Sequence, residues 1–274
     1  MLVLQSLRRP SVLRRDPRHD LPGTLDEAAE KADAIIHIAT PLTYEDLMET
    51  TIKPGWAIVR NVLGAADKSG QVTRVVMTGS LVSTMRVDGL FSGKTISEDS
   101  WNPIRLEAAE TSPLNAYCYS KVSAEKKAKG FMKEKPGNFD QIVLLAPSIT
   151  AKSLQTGFKP DKGNPGGQPG LHRGLFDFDR PGTLYPYVMD VEVVSRVHVQ
   201  ALSPGIPGNE RYIFHSPGLM VGSDIARAVR EDFPRLRNRV PAAEEGATDS
   251  ILSPDLLKTD MSKSEKAFGR QRWK

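Results

Sequence analysis

Three short apolar runs alternate along the chain with long segments in which apolar residues recur at helical spacing. The runs span residues 33–39, 74–78 and 139–146 and consist mostly of Ile, Val, Leu and Ala. Such runs are typical of strands that are buried on both faces of a parallel sheet. Residues 44–68 and 113–135 are predicted as helices, since parallel strands need crossover connections between them. The pattern therefore predicts an α/β fold with a doubly wound parallel sheet.

The residues that follow the three predicted strands are small and polar. They are Ala39, Thr40 and Pro41 after the first strand, Thr78, Gly79 and Ser80 at the end of the second, and Ala146, Pro147 and Ser148 after the third. The carboxyl ends of parallel strands meet at one edge of a sheet, where ligands of open α/β sheets bind. The sequence therefore predicts a ligand-binding crevice at this edge.

Shorter elements flank this core. Thr24 and Glu27 form a capping-box pattern that predicts a helix through residue 32, and Pro54 is expected to kink the long helix that follows the first strand. The pattern also predicts further elements beyond residue 185, namely helices at 190–202, 223–232 and 262–268 and a strand at 211–214. Residues 151–185 are rich in glycine and proline and are predicted as an irregular cover over the crevice.

The amino-acid composition limits which classes of protein, partner and metal site are expected. The chain has 39% apolar and 26% charged residues, which is ordinary for a folded domain, and it has no apolar run long enough to span a membrane. The net charge of +4 comes from scattered basic residues, which argues against nucleic acid as a partner. Cys118 is the single cysteine and the five histidines lack ligand spacing, so we expect no disulfide and no metal.

The amino-terminal residues 1–15 carry four arginines and no acidic residue, a composition that superficially resembles a mitochondrial transit peptide. Pro10 interrupts any helix there and serine is sparse, so we predict an irregular leader. The single cysteine fits a reducing compartment. The expected location is therefore the cytoplasm.

Tyr117 and Lys121 are the strongest candidates for chemistry. Residues four apart on a helix lie on one face, so the lysine ammonium can sit beside the phenol ring. A nearby positive charge is expected to lower the pKa of the tyrosine and make it a usable acid. Ser80, at the end of the second strand, would then donate a hydrogen bond to the same carbonyl oxygen that Tyr117 protonates. Taken singly, such Tyr-Lys pairs are mostly solvated helix faces, and such a serine is commonly a turn residue.

The ordered set of motifs resembles a known family. The set comprises Ile36-His37-Ile38-Ala39-Thr40-Pro41, Thr78-Gly79-Ser80, Glu98-Asp99-Ser100-Trp101-Asn102, Tyr117-Cys118-Tyr119-Ser120-Lys121 with Ala124-Glu125-Lys126, Ala146-Pro147-Ser148, and Asp190 with Val197-His198-Val199-Gln200-Ala201-Leu202. Over about residues 20–268 the chain is similar to the extended short-chain dehydrogenase/reductases. The branch it resembles is that of dihydroflavonol 4-reductase and the fungal ketone and aldehyde reductases.

The resemblance implies a Rossmann-like fold and hydride transfer from NADPH or NADH, with NADPH favoured, to a small aldehyde or ketone. Ser80, Tyr117 and Lys121 match the family's catalytic triad. The resemblance also implies cofactor-binding residues, namely Asp20 at the adenine, Ala39, Thr40, Pro41 and Thr78 at the ribose and phosphates, Tyr117 and Lys121 near the reacting end, and Pro147 and Ser148 beside the nicotinamide. Residues 1–150 would form an incomplete dinucleotide-binding domain and 151–274 a small mixed substrate lobe, with 186–204 returning to the sheet domain.

The sequence also departs from the family's pattern. Members begin with a strand and a Gly-x-x-Gly-x-x-Gly turn that holds the pyrophosphate, whereas residues 1–19 contain no glycine. The expectation is therefore an amino-terminally incomplete reductase with impaired cofactor binding. Two alternatives stay open, a non-catalytic remnant that acts at most through protein contacts and a sugar-nucleotide epimerase or dehydratase of the same fold. Substrate identity and oligomeric state are left open.

Overall fold

The computed structural model describes residues 20–41, 43, 45–137, 139–150, 185–242 and 253–271. The strands are β1 (Ala34–His37), β2 (Arg74–Thr78), β3 (Thr95–Ile96), β4 (Asp140–Leu145), β5 (Ser148–Thr150), β6 (Val188–Asp190), β7 (Glu210–Ile213) and β8 (Lys258–Thr259). The α-helices are α1 (Asp26–Ala29), α2 (Lys53–Ser69), α3 (Leu106–Ala109), α4 (Pro113–Glu134), α5 (Val191–Gln200), α6 (Gly222–Asp232) and α7 (Ser262–Phe268). The predicted leader at 1–15 and nearly all of the predicted cover lie outside the described residues.

The main sheet has four parallel strands in the order β1-β2-β4-β7. Successive residues of each strand point to opposite faces, as the pleat requires. Val75 and Met77 of β2 belong to one apolar core, and Val76 between them belongs to a second core on the other face. Both faces are therefore covered, which confirms the predicted α/β architecture with a doubly wound parallel sheet.

Helices α2 and α4 cover one face of the sheet, and α5 and α7 cover the other. The ends of the two long helices follow from local sequence. Gly70 ends α2 in the left-handed conformation at φ 63°, which glycine adopts without steric strain because it has no Cβ. Ser112 begins α4 by accepting a hydrogen bond from the Asn115 amide at 3.2 Å. Gly55 of α2 lets the helices approach closely, because a Cβ there would lie 2.8 Å from the Ser120 hydroxyl.

One expectation about a helix end is wrong. The Thr24 hydroxyl donates to the Leu21 carbonyl at 2.9 Å instead of capping α1, which begins after Leu25 and spans only four residues. A π-helical segment, Met48–Ile52, leads directly into α2, and Pro54 lies in the first turn of α2. The helical hydrogen-bond pattern therefore changes just before Pro54, and the predicted kink stays a prediction.

Two short parallel ladders, β3 with β8 and β5 with β6, were not predicted from the sequence pattern. Strands of two or three residues are too short to show periodicity. The β5–β6 ladder places Ser148 opposite Val188 and ties the segment that follows β4 to the chain that enters α5. No helix in the described residues is both long enough and apolar enough to cross a membrane.

An arginine joins the amino ends of β2 and β4 to the end of α5. Arg74 donates from Nε and Nη2 to both Asp140 oxygens at 2.7 Å. The same guanidinium donates to three carbonyl oxygens, those of Ala201, Ser203 and Ile206. Arg74 is buried, with only 7% of its surface exposed. The Arg74–Asp140 pair therefore joins β2 and β4 at the edge of the sheet opposite to the predicted crevice.

Candidate functional site

A glycine and a backbone hydrogen bond position the end of β2. A Cβ on Gly79 would lie 2.8 Å from a Val143 methyl and 3.0 Å from a Leu145 methyl, so only glycine fits between β2 and β4 at this point. The Leu81 amide then donates to the Ala146 carbonyl at 2.9 Å. Ser80 stands between these two constraints and is 8% exposed.

The Ser80 side chain opens a 3₁₀ turn over Leu81–Ser83, where its oxygen accepts from the Val82 amide at 3.4 Å. Asn102 holds this turn from the other side. Its amide group donates to the carbonyls of Val82 at 2.9 Å and Met85 at 2.6 Å. Asn102 is 1% exposed, so its hydrogen bonds are shielded from water. The backbone that carries Ser80 is therefore fixed on both sides.

Tyr117 and Lys121 lie one turn apart on α4 and face the carboxyl edge of the sheet. The Lys121 ammonium is 5.9 Å from the centre of the Tyr117 ring. It donates to the Thr40 hydroxyl at 2.7 Å and to the Thr78 carbonyl at 3.0 Å. Five of the residues singled out from the sequence therefore meet here, since Ser80 also lies close enough to Tyr117 to lower the pKa of the phenol.

Electrostatics at the site differ from the sequence-based expectation. Burial raises the pKa of Tyr117, and the hydrogen bond from Ser80 lowers it in part. The expected lowering by Lys121 is wrong for this arrangement, because the ammonium is directed at the Thr40 and Thr78 oxygens. Burial also lowers the pKa of Lys121, to about 8, against the opposing charge of Glu125. At neutral pH the tyrosine is thus a protonated phenol beside a lysine that is still mostly charged.

The remaining residues singled out as cofactor ligands are spread around this centre. Ala39 and Pro41 flank Thr40 and are half-buried. Pro147 is buried, and Ser148 is half-buried where β5 begins. Asp20 is half-buried at the start of the first described segment. Their roles in binding stay predictions.

The chain is similar in sequence and in fold to fungal oxidoreductases. No protein-family model matches the chain. An oxidoreductase of Schizosaccharomyces pombe is 29% identical over 251 residues, which cover 89% of this chain and 72% of the relative. The NADPH-dependent methylglyoxal reductase Gre2 of Saccharomyces cerevisiae is 28% identical, covering 86% of this chain and 70% of the relative. The solved Candida albicans Gre2 in complex with NADPH shares the fold at a TM-score of 0.81 and 20% identity, covering 93% of this chain and 78% of that one.

The chain is similar over most of its length to fungal oxidoreductases, Gre2 among them. This confirms the resemblance inferred from the ordered motifs. It also confirms the Rossmann-like fold, since a structure of the Gre2 type covers 93% of the chain.

The described residues fit the reacting end of a nicotinamide dinucleotide. Lys121, Thr40 and the Tyr117 hydroxyl present hydrogen-bonding groups within one small region, as a ribose with two hydroxyls requires. This region lies outside the carboxyl ends of parallel strands, where dinucleotides bind. Among the described residues, no cluster of three or more His, Cys, Asp or Glu side chains is arranged to hold a metal ion.

Sequence reasoning missed a buried ion pair directly behind Lys121. Glu125 is 2% exposed and accepts from Arg211 of β7 at 2.5 Å. The Arg211 guanidinium also stacks on Trp101 at 3.9 Å from the ring centre. One signal for this pair was available, since Glu125 follows Lys121 by four residues and therefore shares its helix face. The position of Arg211, a charged residue directly before the apolar stretch 212–214, was a second signal.

His198 also touches the site, although its side chain is buried in the core. Its Nε2 lies 2.7 Å from the Thr78 hydroxyl, and its Nδ1 lies 2.7 Å from the Val194 carbonyl. Burial lowers the pKa of His198, so the ring stays neutral at pH 7. It is thus a neutral hydrogen-bonding partner that orients Thr78, whose carbonyl accepts from Lys121.

Proposed function

We propose that this protein reduces small aldehydes or ketones with NADPH. The observation that carries the proposal is the contact of Ser80 with Tyr117 at the carboxyl edge of the sheet, with Lys121 one helical turn behind. Two hydroxyl groups that point into one crevice can both bond a single carbonyl oxygen. The homologous Gre2 is named as an NADPH-dependent methylglyoxal reductase, which favours a small carbonyl substrate and NADPH here.

Each residue of the triad has a separate task in the proposed reaction. When bound, NADPH supplies the hydride that adds to the carbonyl carbon. Ser80 donates a hydrogen bond to the carbonyl oxygen and polarises it. Tyr117 gives its phenolic proton to that oxygen, so the carbonyl becomes an alcohol. Lys121 stabilises the phenolate that the proton transfer leaves behind, because its positive charge lies 5.9 Å from the ring centre.

The residues around the triad are proposed to hold the cofactor. Lys121 and Tyr117 bind the nicotinamide ribose, with Ala39, Thr40, Pro41 and Thr78 along the ribose and phosphates. Pro147 and Ser148 contact the nicotinamide, and Asp20 faces the adenine. The exposed Ile38, with 52% of its surface accessible, leaves room for a ligand at the end of β1.

The wider organisation follows from this assignment. Residues 1–150 are proposed as the cofactor domain and 151–274 as the substrate lobe, with 186–204 returning to the sheet domain. Val193, Val194 and Val197 of α5 support that return, because they pack on the sheet. The proposed location is the cytoplasm, where NADPH is abundant and a lone cysteine stays reduced.

Two measurements on the purified chain test the function. NADPH is titrated to millimolar concentration while its fluorescence is followed, so that weak binding is also registered. Oxidation of NADPH is then followed with methylglyoxal and a panel of small aldehydes and ketones. Saturable binding and carbonyl-dependent oxidation are expected. Absence of both at millimolar NADPH would contradict the proposal, and binding without turnover would restrict this chain to a non-catalytic role.

The reductase rate is expected to fall as pH rises through about 8, the pKa to which burial lowers Lys121. Below this pH the ammonium is charged and can stabilise the Tyr117 phenolate, whereas above it the charge is lost. The pKa of Tyr117 is raised, so the phenol keeps its proton over the same pH range. Titration of Tyr117 therefore does not change the rate near pH 8. The measurement is kcat/KM for carbonyl reduction from about pH 6 to about pH 10. A rate that increases between pH 7 and pH 9 would refute the assignment of Lys121.

A further inference from the structure

A cavity of about 450 Å³ opens between α2 and α4 at the surface of the protein. Its floor includes Val59 and Leu63 of α2, which are buried and belong to the apolar core on this side of the sheet. Its walls include two aromatic side chains, Trp56 and Phe131, each of which is half-buried. None of the proposed catalytic residues lines it. A cavity of this size can hold a small organic molecule.

Gly130 of α4 keeps part of this cavity open. A Cβ at Gly130 would have no atom within 4 Å, so a close approach of the helices does not require glycine there. Gly55 is the contrast, because a Cβ at Gly55 would lie 2.8 Å from the Ser120 hydroxyl. Glycine in a helix interior is less favourable than alanine. The side chain that is missing at Gly130 therefore leaves space at the cavity that packing alone does not demand.

The indole of Trp56 is held in place as one wall of the cavity. Its Nε1 donates to the Ser123 hydroxyl at 2.7 Å, and its ring packs edge-to-face on Tyr119 with 6.5 Å between ring centres. The Lys127 ammonium lies 4.5 Å from the centre of the same ring. A fixed aromatic wall favours a planar ligand, because aromatic rings attract one another when they stack with an offset or meet edge-to-face.

The rim of the cavity is mainly positive. Among the described lining residues, Lys53, Arg60 and Lys127 are exposed cations, and the single carboxylate is that of Glu134. Lys53 is already paired with Glu49, one turn earlier along the chain. Arg60 forms no hydrogen bond or ion pair with the part of the chain that the structure describes, so its guanidinium is available to a ligand. A guanidinium can bind both oxygens of a carboxylate at once.

We propose that this cavity binds a small aromatic carboxylate. The ring of the ligand lies against Trp56 and Phe131 over the apolar floor, and the carboxylate pairs with Arg60. A neutral ring of the same shape buries the same apolar surface but leaves Arg60 without a partner, so the charge of the rim selects the anion. The site goes beyond the proposed reductase function, since it lies between α2 and α4 and not at the carboxyl edge of the sheet.

The test is a titration of the full-length protein, without NADPH, with 2-naphthoate and with its uncharged analogue 2-naphthamide. Saturation-transfer NMR observes each ligand and gives its Kd. Naphthoate should bind about tenfold more tightly than naphthamide, because a hydrogen bond to a charged group contributes more than one between neutral groups. Arg60→Gln should remove this difference by weakening naphthoate alone. Equal binding of the two ligands to the parent, or no binding of naphthoate, would overturn the proposal.

Gly130→Leu fills the cavity without changing a charge, so the binding of naphthoate should be lost. Gly64→Leu is the matched control, because a Cβ at Gly64 of α2 also has no atom within 4 Å but Gly64 does not line the cavity. This control should bind naphthoate as the parent does. If both variants bind it equally, the probe binds elsewhere and the proposal is wrong. If circular dichroism shows that Gly130→Leu is unfolded, Arg60→Gln decides the question, since its change is at an exposed residue.

Sedimentation velocity distinguishes the ligand from the alternative occupant, a second copy of the chain. The parent and Gly130→Leu should sediment alike. A dimer that Gly130→Leu dissociates would make the cavity part of an interface between copies and would overturn the proposal. Binding is measured without NADPH or a carbonyl compound. A chain that binds naphthoate but shows no reductase activity would therefore remove the proposed function and leave this site in place.

Discussion

Replacement of Tyr117 by Phe should lower kcat for carbonyl reduction by ~10²–10⁴-fold, the usual contribution of a positioned general acid. The phenol is the group that contacts Ser80 and lies beside Lys121, and its raised pKa keeps it protonated at neutral pH. Phenylalanine retains the ring and its packing but has no proton to give. Because the change removes one buried hydroxyl and keeps the ring, we expect the free energy of unfolding to change by only about 1 kcal/mol.

The variant Tyr119→Phe, two residues further along the helix, is the control. Tyr119 lies on the same helix but packs edge-to-face on Trp56 with 6.5 Å between ring centres. It should keep parental kcat and NADPH affinity. The measurement is steady-state oxidation of NADPH together with fluorescence titration of NADPH for each variant. If Tyr117→Phe retains more than about a tenth of the parental kcat, another group donates the proton and the mechanism is wrong.

The parts of the fold that could be predicted from sequence are those governed by local pattern. Apolar runs at 74–78 and 139–146 became β2 and β4 within one residue at each end, since a strand that is buried on both faces has few polar positions. The helix that carries Tyr117 was predicted to within one residue because Ser112-Pro113 is a strong start signal. The spacing of Tyr117 and Lys121 then fixed their common face.

The parts that could not be predicted depend on contacts between distant residues. The Arg211–Glu125 pair joins positions 86 residues apart, and no local pattern encodes such a distance. The raised pKa of Tyr117 has the same origin, because it depends on how deeply the folded chain buries the ring. Thr24 shows that a local sequence signal can also be misleading. Its capping box is a good local signal, but the hydroxyl found a different backbone partner in the Leu21 carbonyl.

The two arginine ion pairs lie on different sides of the sheet. One lies on the side of the proposed catalytic residues, and the other lies at the opposite edge, where it can affect only stability. Glu125 of the Arg211–Glu125 pair lies one turn from Lys121 on α4, whereas Arg74–Asp140 joins the amino ends of β2 and β4. Ligands bind outside the carboxyl ends in this class of fold. A change at Arg74 should therefore act on the free energy of unfolding and leave the crevice intact.

Replacement of Arg74 by Met should lower the free energy of unfolding by about 3 kcal/mol, the lower end of the cost of removing one partner of a buried ion pair, because the Asp140 side chain is partly exposed. The change leaves the Asp140 carboxylate without its bidentate partner and removes a donor from the Ala201 and Ile206 carbonyls. Methionine fills most of the volume, so the loss measures these polar contacts more than a cavity. Urea unfolding followed by circular dichroism gives the value.

The exposed pair of Lys68 and Asp26 provides the matched comparison. The Lys68 side chain is 65% exposed and its ammonium lies 2.9 Å from Asp26, so Lys68→Met should cost at most about 1 kcal/mol. The double variant Arg74→Met with Asp140→Leu should recover part of the loss, because no buried carboxylate is then left uncompensated. If Arg74→Met cost no more than Lys68→Met, the three carbonyl contacts of the arginine would contribute nothing measurable. The amino edge of the sheet would then be held by strand pairing and apolar packing alone.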